Sequence, residues 1–364
     1  MSVIKTVEVG GKVYTFEFNK YAKQANGSVL VTCGGTQVLV TVCASKEQRP
    51  DIDFFPLTVD YIEKFYAAGR IPGGFFKRES RPGTGETLVA RCIDRPLRPS
   101  FPKEYRCDTQ VIATVLSYDE ITTPSSLAAI GASTALMISD LPFNGPIALL
   151  NVGRKENGDF VIDPNKKEAY ELELTIAAKP GAVLMVEAGA NFLSESQMMD
   201  AIDFAHKSME PFFEMQKEIQ KEIGKPKREV VKKEIDAAAL ESVKKFAYDK
   251  MVSLFAIKEK TERSMAFHKF GKQVHEELNP EKCPDHKKKI QAAWSKIQST
   301  YVRGLISKDS IRMDGRKLDE IRPIMSEVGM LKRTHGSALF QRGETQSLGV
   351  ITLGSGDDLS LIHI

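Results

Sequence analysis

The sequence has no excess of either charge, no paired cysteines and no long apolar run. Lys and Arg number 51 against 48 Asp and Glu, a formal net charge of +3. A global basic field for nucleic acid is therefore excluded, and any nucleic-acid contact has to be local. The five cysteines, Cys33, Cys43, Cys92, Cys107 and Cys283, are odd in number and form no C-x-x-C pair. With no secretory signal, they read as reduced thiols in a cytosol. The most apolar stretch, Leu127 to Ile138, contains Gly, Ser and Thr and falls well short of the ~20 residues of a membrane span. A soluble, cytoplasmic protein without a membrane partner is the expectation.

Chemical signatures are also scarce. Neither a G-x-x-x-x-G-K-[ST] phosphate loop nor a G-x-G-x-x-G turn occurs. Six scattered His and the lack of G-x-S-x-G give no nucleophilic triad. Cys283-Pro-Asp-His286, with His275 nearby, lacks the second Cys pair of a tetrahedral zinc site and reads as a turn between helices.

What is present is an ordinary globular composition in 364 residues, 42% of them hydrophobic, enough for two or three domains. Val7–Val13 and Phe16–Phe18 alternate around Gly10-Gly11, a β-hairpin pattern. Val29–Thr32 and Val38–Cys43 flank Gly34-Gly35, and Gln110–Leu116 is a further strand. Leu127–Ser139 reads as a helix lined with small residues that can pack closely on a sheet. More strands are expected at Ile147–Val152, Phe160–Ile162, Leu172–Ala177 and Val183–Glu187. Ser194 with Gln197 makes a capping box opening a helix from Glu195 to about Ile223. Together these make an α+β domain over residues 1–224. Beyond Gly224-Lys-Pro226 the chain turns Lys/Glu-rich, with helical spacing at Val243, Phe246, Met251 and Leu254. Residues 225–310 are expected to form a small all-helical domain whose basic runs are a solvated face.

An internal repeat follows. Asn26–Leu39 aligns without a gap on His335–Leu348, with seven identities: Gly27/Gly336, Ser28/Ser337, Leu30/Leu339, Gly34/Gly343, Thr36/Thr345, Gln37/Gln346 and Leu39/Leu348. A second copy of the first domain would begin near Ile311, and residues 311–364 are too few to complete it.

The densest polar cluster is Arg70-Ile-Pro-Gly-Gly-Phe-Phe-Lys-Arg78, continuing to Arg81. Pro72, Gly73 and Gly74 make it a loop with Phe75 and Phe76 near the tip and Lys77, Arg78 and Arg81 beside them. Aromatic faces among cations suit single-stranded RNA, bases stacking on rings and cations meeting phosphates. Two buried Phe with a solvated basic rim would leave the same residues. Arg91, Arg95 and Arg98 share one helical face with Glu86 and Asp94, a spacing for intrahelical ion pairs, with Pro96 near the helix end.

This loop, with Ile93-Asp-Arg-Pro-Leu-Arg-Pro99, Ser139-Asp-Leu-Pro-Phe-Asn-Gly-Pro146 and Arg333–Gln346, resembles the bacterial polynucleotide phosphorylases from residue 1 to about 356. The resemblance implies two RNase PH-like cores (ribosomal protein S5 domain 2-like) joined by a helical linker: 1–224, 225–310, and a truncated second core at 311–364. It implies a homotrimer with RNA threaded through a ring, and mRNA degradation by phosphorolysis. Inorganic phosphate and Mg²⁺ would release nucleoside diphosphates from RNA 3′ ends, reversibly, within an RNA-degradation complex. It also assigns RNA contact to Phe75, Phe76, Lys77, Arg78 and Arg81. Phosphate attacks the terminal phosphodiester directly, which calls for phosphate donors and carboxylate-held Mg²⁺.

In the family those groups lie in the second core, a serine-rich turn followed by an Asp-x-Asp-x-Lys strand, so no catalytic residue is expected before residue 364. The first-core counterparts are Thr122–Ser133, with Ser125 and Ser126, and Glu171-Leu-Glu173-Leu-Thr175. Alternation puts Glu171, Glu173 and Thr175 on one strand face, and Thr175 replaces the Lys. The expectation is an RNA-handling scaffold with a degenerate site and no metal of its own. A non-catalytic RNA-binding ring subunit is the alternative, and a metal-dependent nuclease working from Glu171 and Glu173 is a third.

Overall fold

The computed structural model describes residues 3–48, 52–73, 78–79, 81–164, 168–230, 235–279 and 283–355. The chain divides into two compact units, Met1–Lys232 and Lys233–Ile364.

In the first unit, Gly10 and Gly11 take φ of 59° and 73°, the pair a two-residue hairpin turn requires. They join β1 (Val3–Val9) to β2 (Lys12–Phe18). β3 (Gly27–Cys33) and β4 (Thr36–Gln48) meet at Gly34, φ 58°. β6 (Cys107–Ser117) pairs antiparallel with β4, and β5 (Leu57–Glu63) adds at the edge, parallel to β6. The sheet order is β1-β2-β3-β4-β6-β5. Parallel neighbours need a crossover, supplied here by α1 (Thr84–Leu97) lying on β5.

α2 (Pro124–Ile138) is buried at every residue except Ser125. It lies against β3, β4 and β6 and against β7 of a second sheet. Gly131 permits this approach: a Cβ there would stand 2.7 Å from Val40 Cγ2 and 3.0 Å from Val31 Cγ2. Small residues on this helix thus bring α2 down onto the sheet and fix where its N-terminal serines sit. Lys227 covers the other end, donating to the carbonyls of Leu136, Met137 and Ser139 at 2.8, 3.0 and 2.7 Å. The second sheet contains β7 (Ala148–Arg154), β8 (Phe160–Ile162), β9 (Leu172–Lys179) and β10 (Ala182–Ala190) in the order β10-β9-β7-β8, all antiparallel.

The capping box at Ser194 is present, with Ser194 N donating to Gln197 Oε1 at 2.9 Å. The single helix expected after it is two, α3 (Glu195–Ser208) and α4 (Glu210–Ile223). Pro211 has no N–H to carry the i→i−4 ladder through. Met209 N reaches back to His206 O at 3.2 Å instead, a tighter 3₁₀-type closure. The strand β5 is a second departure from the sequence reading, which placed nothing there.

In the second unit, α5 (Ala237–Phe255), α6 (Lys260–Leu278) and α7 (Pro284–Lys308) enclose Val243, Met251, Val274, Ile290 and Trp294. Phe246 is exposed rather than in this core. The buried stripe on α5 runs Ala239, Val243, Ala247, Met251 and Leu254, and Phe246 stands one residue, about 100°, off it. The turn before α7 is closed by Asn279, which donates to Cys283 O at 3.0 Å and accepts from Cys283 N at 3.1 Å. A three-stranded antiparallel sheet follows: β11 (Ile324–Val328), β12 (Gly336–Arg342) and β13 (Thr345–Ile351).

This sheet reproduces the repeat. Gly27 pairs with Val42 and Cys33 with Thr36 in the first unit; Gly336 pairs with Ile351 and Arg342 with Thr345 in the second. Each position in the second pair of strands lies 309 residues after its counterpart. The burial is not reproduced: Val31 is 0% exposed and its counterpart Phe340 47%, Val42 0% and Ile351 59%. In the first unit α2 covers that face.

Candidate nucleic-acid interface and degenerate site

The loop between β5 and α1 is held by two carboxylates. Glu79 takes the Lys64 ammonium at 2.6 Å and accepts from Phe65 N at 3.1 Å. The hydrogen bond from Lys64 and that from Phe65 N hold the Glu79 carboxyl below its ordinary value, and Glu79 raises Lys64 in turn. Glu86 accepts from Gly83 N at 2.6 Å, closing the start of α1, and from Glu63 N at 2.8 Å at the end of β5. The loop's two ends are thereby fixed to each other. Arg70, Arg78 and Arg81 are exposed on it. Phe75, Phe76 and Lys77, the remaining expected RNA contacts, lie outside the described residues. On α1, Asp94 pairs with Arg98 at 2.6 Å as the helical spacing predicts, whereas Arg95 reaches across to Glu187 on β10 at 2.7 Å. Pro96 lies inside the last turn, and the helix ends one residue later.

The serine-rich turn opens α2, with Thr123 as N-cap and Pro124 in the first turn. Ser125 faces a cavity of about 230 Å³ that Asn151, Glu173 and Thr175 also line. Thr175 Oγ1 donates to Asn151 Oδ1 at 2.8 Å, and Asn151 Nδ2 donates to Ser125 Oγ at 3.4 Å. A polar chain thus runs across the cavity from β9 through β7 to α2. Ser126 points the other way, donating to Thr123 O at 3.0 Å and to Asp163 Oδ1 at 3.2 Å. Asp163 is buried, with φ 48°. Burial raises its carboxyl despite the hydrogen bond from Tyr14 OH at 2.8 Å. Glu171 precedes β9 and pairs with Arg154.

The structure therefore assembles Ser125, Glu173 and Thr175 and keeps Ser126 and Glu171 apart from them. Glu171 pairs with Arg154 and does not line the cavity, which leaves Glu173 as the one carboxylate among the described residues lining it. Asn151 and Asp163 were not singled out from sequence. The available signal for Asn151 was a lone polar residue inside the apolar run Ala148–Val152.

A second carboxylate anchors the approach to α2. Burial works against the ionised form of Asp119, yet hydrogen bonds from Thr122 N, Ile121 N, Gly35 N and Thr36 Oγ1, each 2.9 Å, hold its carboxyl at about 2. This ties the β3–β4 turn to the loop that delivers the serines.

Comparison with known proteins matches residues 11–142 to the 3′ exoribonuclease family, domain 1, and residues 145–208 to domain 2 of the same family. Residues 238–317 match the RNA binding domain of polyribonucleotide nucleotidyltransferase. Polyribonucleotide nucleotidyltransferase 1 of Alkaliphilus metalliredigens is 47% identical over 358 residues, 98% of this chain and 51% of that protein. The Geobacter sulfurreducens polyribonucleotide nucleotidyltransferase is 48% identical over 354 residues, 97% of this chain and 50% of that one. The chain spans about half the length of the curated relatives it matches. Among solved structures, rice Rrp46 aligns at 15% identity with a TM-score of 0.46, over 57% of this chain and 94% of that chain, too loose a match to argue from. No helix among the described residues is long and apolar enough to cross a membrane.

Proposed function

This chain belongs to the polyribonucleotide nucleotidyltransferases, and from that premise we propose that residues 1–224 are the RNA-handling core of a phosphorolytic 3′-to-5′ exoribonuclease. The whole protein would degrade mRNA in the cytoplasm with inorganic phosphate and Mg²⁺, as a homotrimer and within an RNA-degradation complex. In this reading the described chain grips single-stranded RNA, and none of its residues is assigned to the chemistry.

The observation that carries the reading is the loop fixed by Glu79 and Glu86, which keeps Arg78 and Arg81 exposed on either side of Glu79. Phe75 and Phe76 stack bases, and Lys77, Arg78 and Arg81 contact phosphates. A second contact surface is α7, which carries no carboxylate from His286 to Lys308 while presenting Lys287, Lys288, Lys296 and Arg303. The basic runs first read as a solvated face thus gain a role.

The cavity at Ser125 is a poor match for the catalytic chemistry. A Mg²⁺ site for phosphoryl transfer is built on carboxylates together with substrate phosphates. Here Glu173 is the one carboxylate among the described residues that line the cavity, Glu171 is engaged with Arg154, and Thr175 is bonded to Asn151. These residues do not fit a paired-carboxylate metal centre, so no step is assigned to a metal in this core. That favours a binding role over the hydrolytic nuclease, and it is what a non-catalytic ring subunit would also display.

The test is single-stranded RNA affinity of Phe75→Ala with Phe76→Ala. A folded double variant should bind at least tenfold more weakly, since each stacked base contributes ~1–3 kcal/mol. Unchanged affinity would refute the assignment.

A further inference from the structure

We propose that Phe65 and Tyr66 form a second base-stacking platform for single-stranded RNA, next to the loop of residues 70–81. The proposal rests on the reading of that loop as an RNA contact. Phe65 and Tyr66 open a 3₁₀ turn, Phe65–Ala68, in which no residue is buried. Phe65 is 44% exposed and Tyr66 58%, although aromatic side chains ordinarily supply core area. The turn is therefore not built to fill the core.

It is nonetheless rigid. Gly69 N donates to Tyr66 O and Arg70 N to Phe65 O, both at 3.0 Å, with Gly69 at φ 66° terminating the turn. Tyr118 N, just past β6, donates to Ala67 O at 2.9 Å. Glu79 holds both Lys64 and the Phe65 backbone, and Glu86 holds Glu63. Six hydrogen bonds thus fix the backbone that carries two adjacent exposed rings, so stacking on them costs little backbone ordering.

The surrounding charge selects the partner. From Lys64 to Arg81 the sequence has five cations, Lys64, Arg70, Lys77, Arg78 and Arg81, and one acid, Glu79. Glu79 is occupied by Lys64 and Phe65 N. With Lys64 and Glu79 paired to each other, the other charged residues of this stretch, Arg70, Lys77, Arg78 and Arg81, are all cationic in type, which suits a polyanion that also carries flat π-faces. A single strand of RNA has both, and stacking on its bases needs no particular sequence. Glu79 brings the backbone of Phe65 beside the residue that follows Arg78, so a strand gripped at Arg78 and Arg81 has the rings within its path.

The test uses the full chain and a labelled oligo(A), with thermal melts confirming that each variant is folded. Phe65→Ala with Tyr66→Ala should weaken binding about tenfold and leave the salt dependence of affinity unchanged, because stacking releases no counterions. Tyr66→Phe should bind like the parent. Tyr66→Trp should show fluorescence quenching by oligo(A) beyond that of the parent, whose one tryptophan, Trp294, is buried. Parent-level affinity in the double Ala variant, while Phe75→Ala with Phe76→Ala still weakens binding, would overturn the platform and leave the loop reading standing. No binding by the parent chain would overturn both. A double Ala variant that changes its sedimentation but not its RNA affinity would assign the pair to chain–chain contact and also overturn the proposal.

Discussion

Gly34 and Gly343 occupy the same place in two copies of one hairpin, with φ of 58° and 62°. Each turns a strand beginning at a Gly-Ser pair into one beginning at Thr-Gln, and the cross-strand register on either side is identical. The match extends one strand back at a different offset: β2 pairs Phe18 with Val29, and β11 pairs Val328 with Ala338. The connection between those strands is one residue shorter in the second copy, and it begins in the left-handed region in both, at Asn19 (φ 60°) and Gly329 (φ 72°).

The two glycines should differ in what they tolerate. A Cβ at Gly34 would stand 2.8 Å from Asp119 Oδ2, a carboxylate fixed by four hydrogen bonds. At Gly343 it would stand 3.1 Å from Arg322 Cδ, part of a flexible side chain. Both substitutions by Ala carry the left-handed penalty of ~1–2 kcal/mol. Gly34→Ala should cost more, and denaturant unfolding of the unit concerned would measure it. Equal costs would contradict the account.

Gly131→Ala tests the close approach of α2. The added methyl meets Val40 and Val31 in a packed interior, so unfolding free energy should fall by ~1–3 kcal/mol. A neutral outcome in a urea titration would mean that α2 has room to spare on the sheet.

Asp119 should make the first unit acid-sensitive. Its carboxyl sits at about 2 against an ordinary 3.8, so its contribution is present above pH 4 and is lost as pH falls towards 2. Asp119→Asn should lower the melting temperature at pH 6 and flatten its dependence between pH 4 and 2. An unchanged slope would place the acid sensitivity elsewhere.

Asp163 has the opposite sign. Burial raises its carboxyl, so its contribution is largest below the ordinary carboxylate range and declines as pH rises through the raised value. Asn tolerates a left-handed backbone and can keep the partners Tyr14 and Ser126. Asp163→Asn should therefore match or exceed the parent in stability at pH 8. A large loss there would show that the ionised carboxylate is the form the fold stabilises.

Much of this architecture is local and was readable as such. Gly10-Gly11, the small-residue helix around Gly131, the box at Ser194 and the hairpin repeat each depend on neighbouring residues. β5 was missed because its place rests on parallel pairing with β6, about fifty residues on, and Asp60 and Glu63 dilute its apolar alternation. The break at Met209 was missed because Pro is acceptable in a first helical turn, so the pattern runs through it. At the degenerate site, Ser125, Glu173 and Thr175 came from the family resemblance, and alternation placed the last two on one strand face. Spacing does not disclose that Arg154 claims Glu171 or that Ser126 faces Asp163, since both depend on tertiary partners.

The central claim is that this chain handles RNA without carrying out phosphorolysis. Nucleoside diphosphate release from poly(A), measured with Mg²⁺ and with or without inorganic phosphate, tests it most directly. The account predicts no release from folded protein that still binds poly(A). Phosphate-dependent release would contradict it and make the cavity of Ser125, Glu173 and Thr175 a working site.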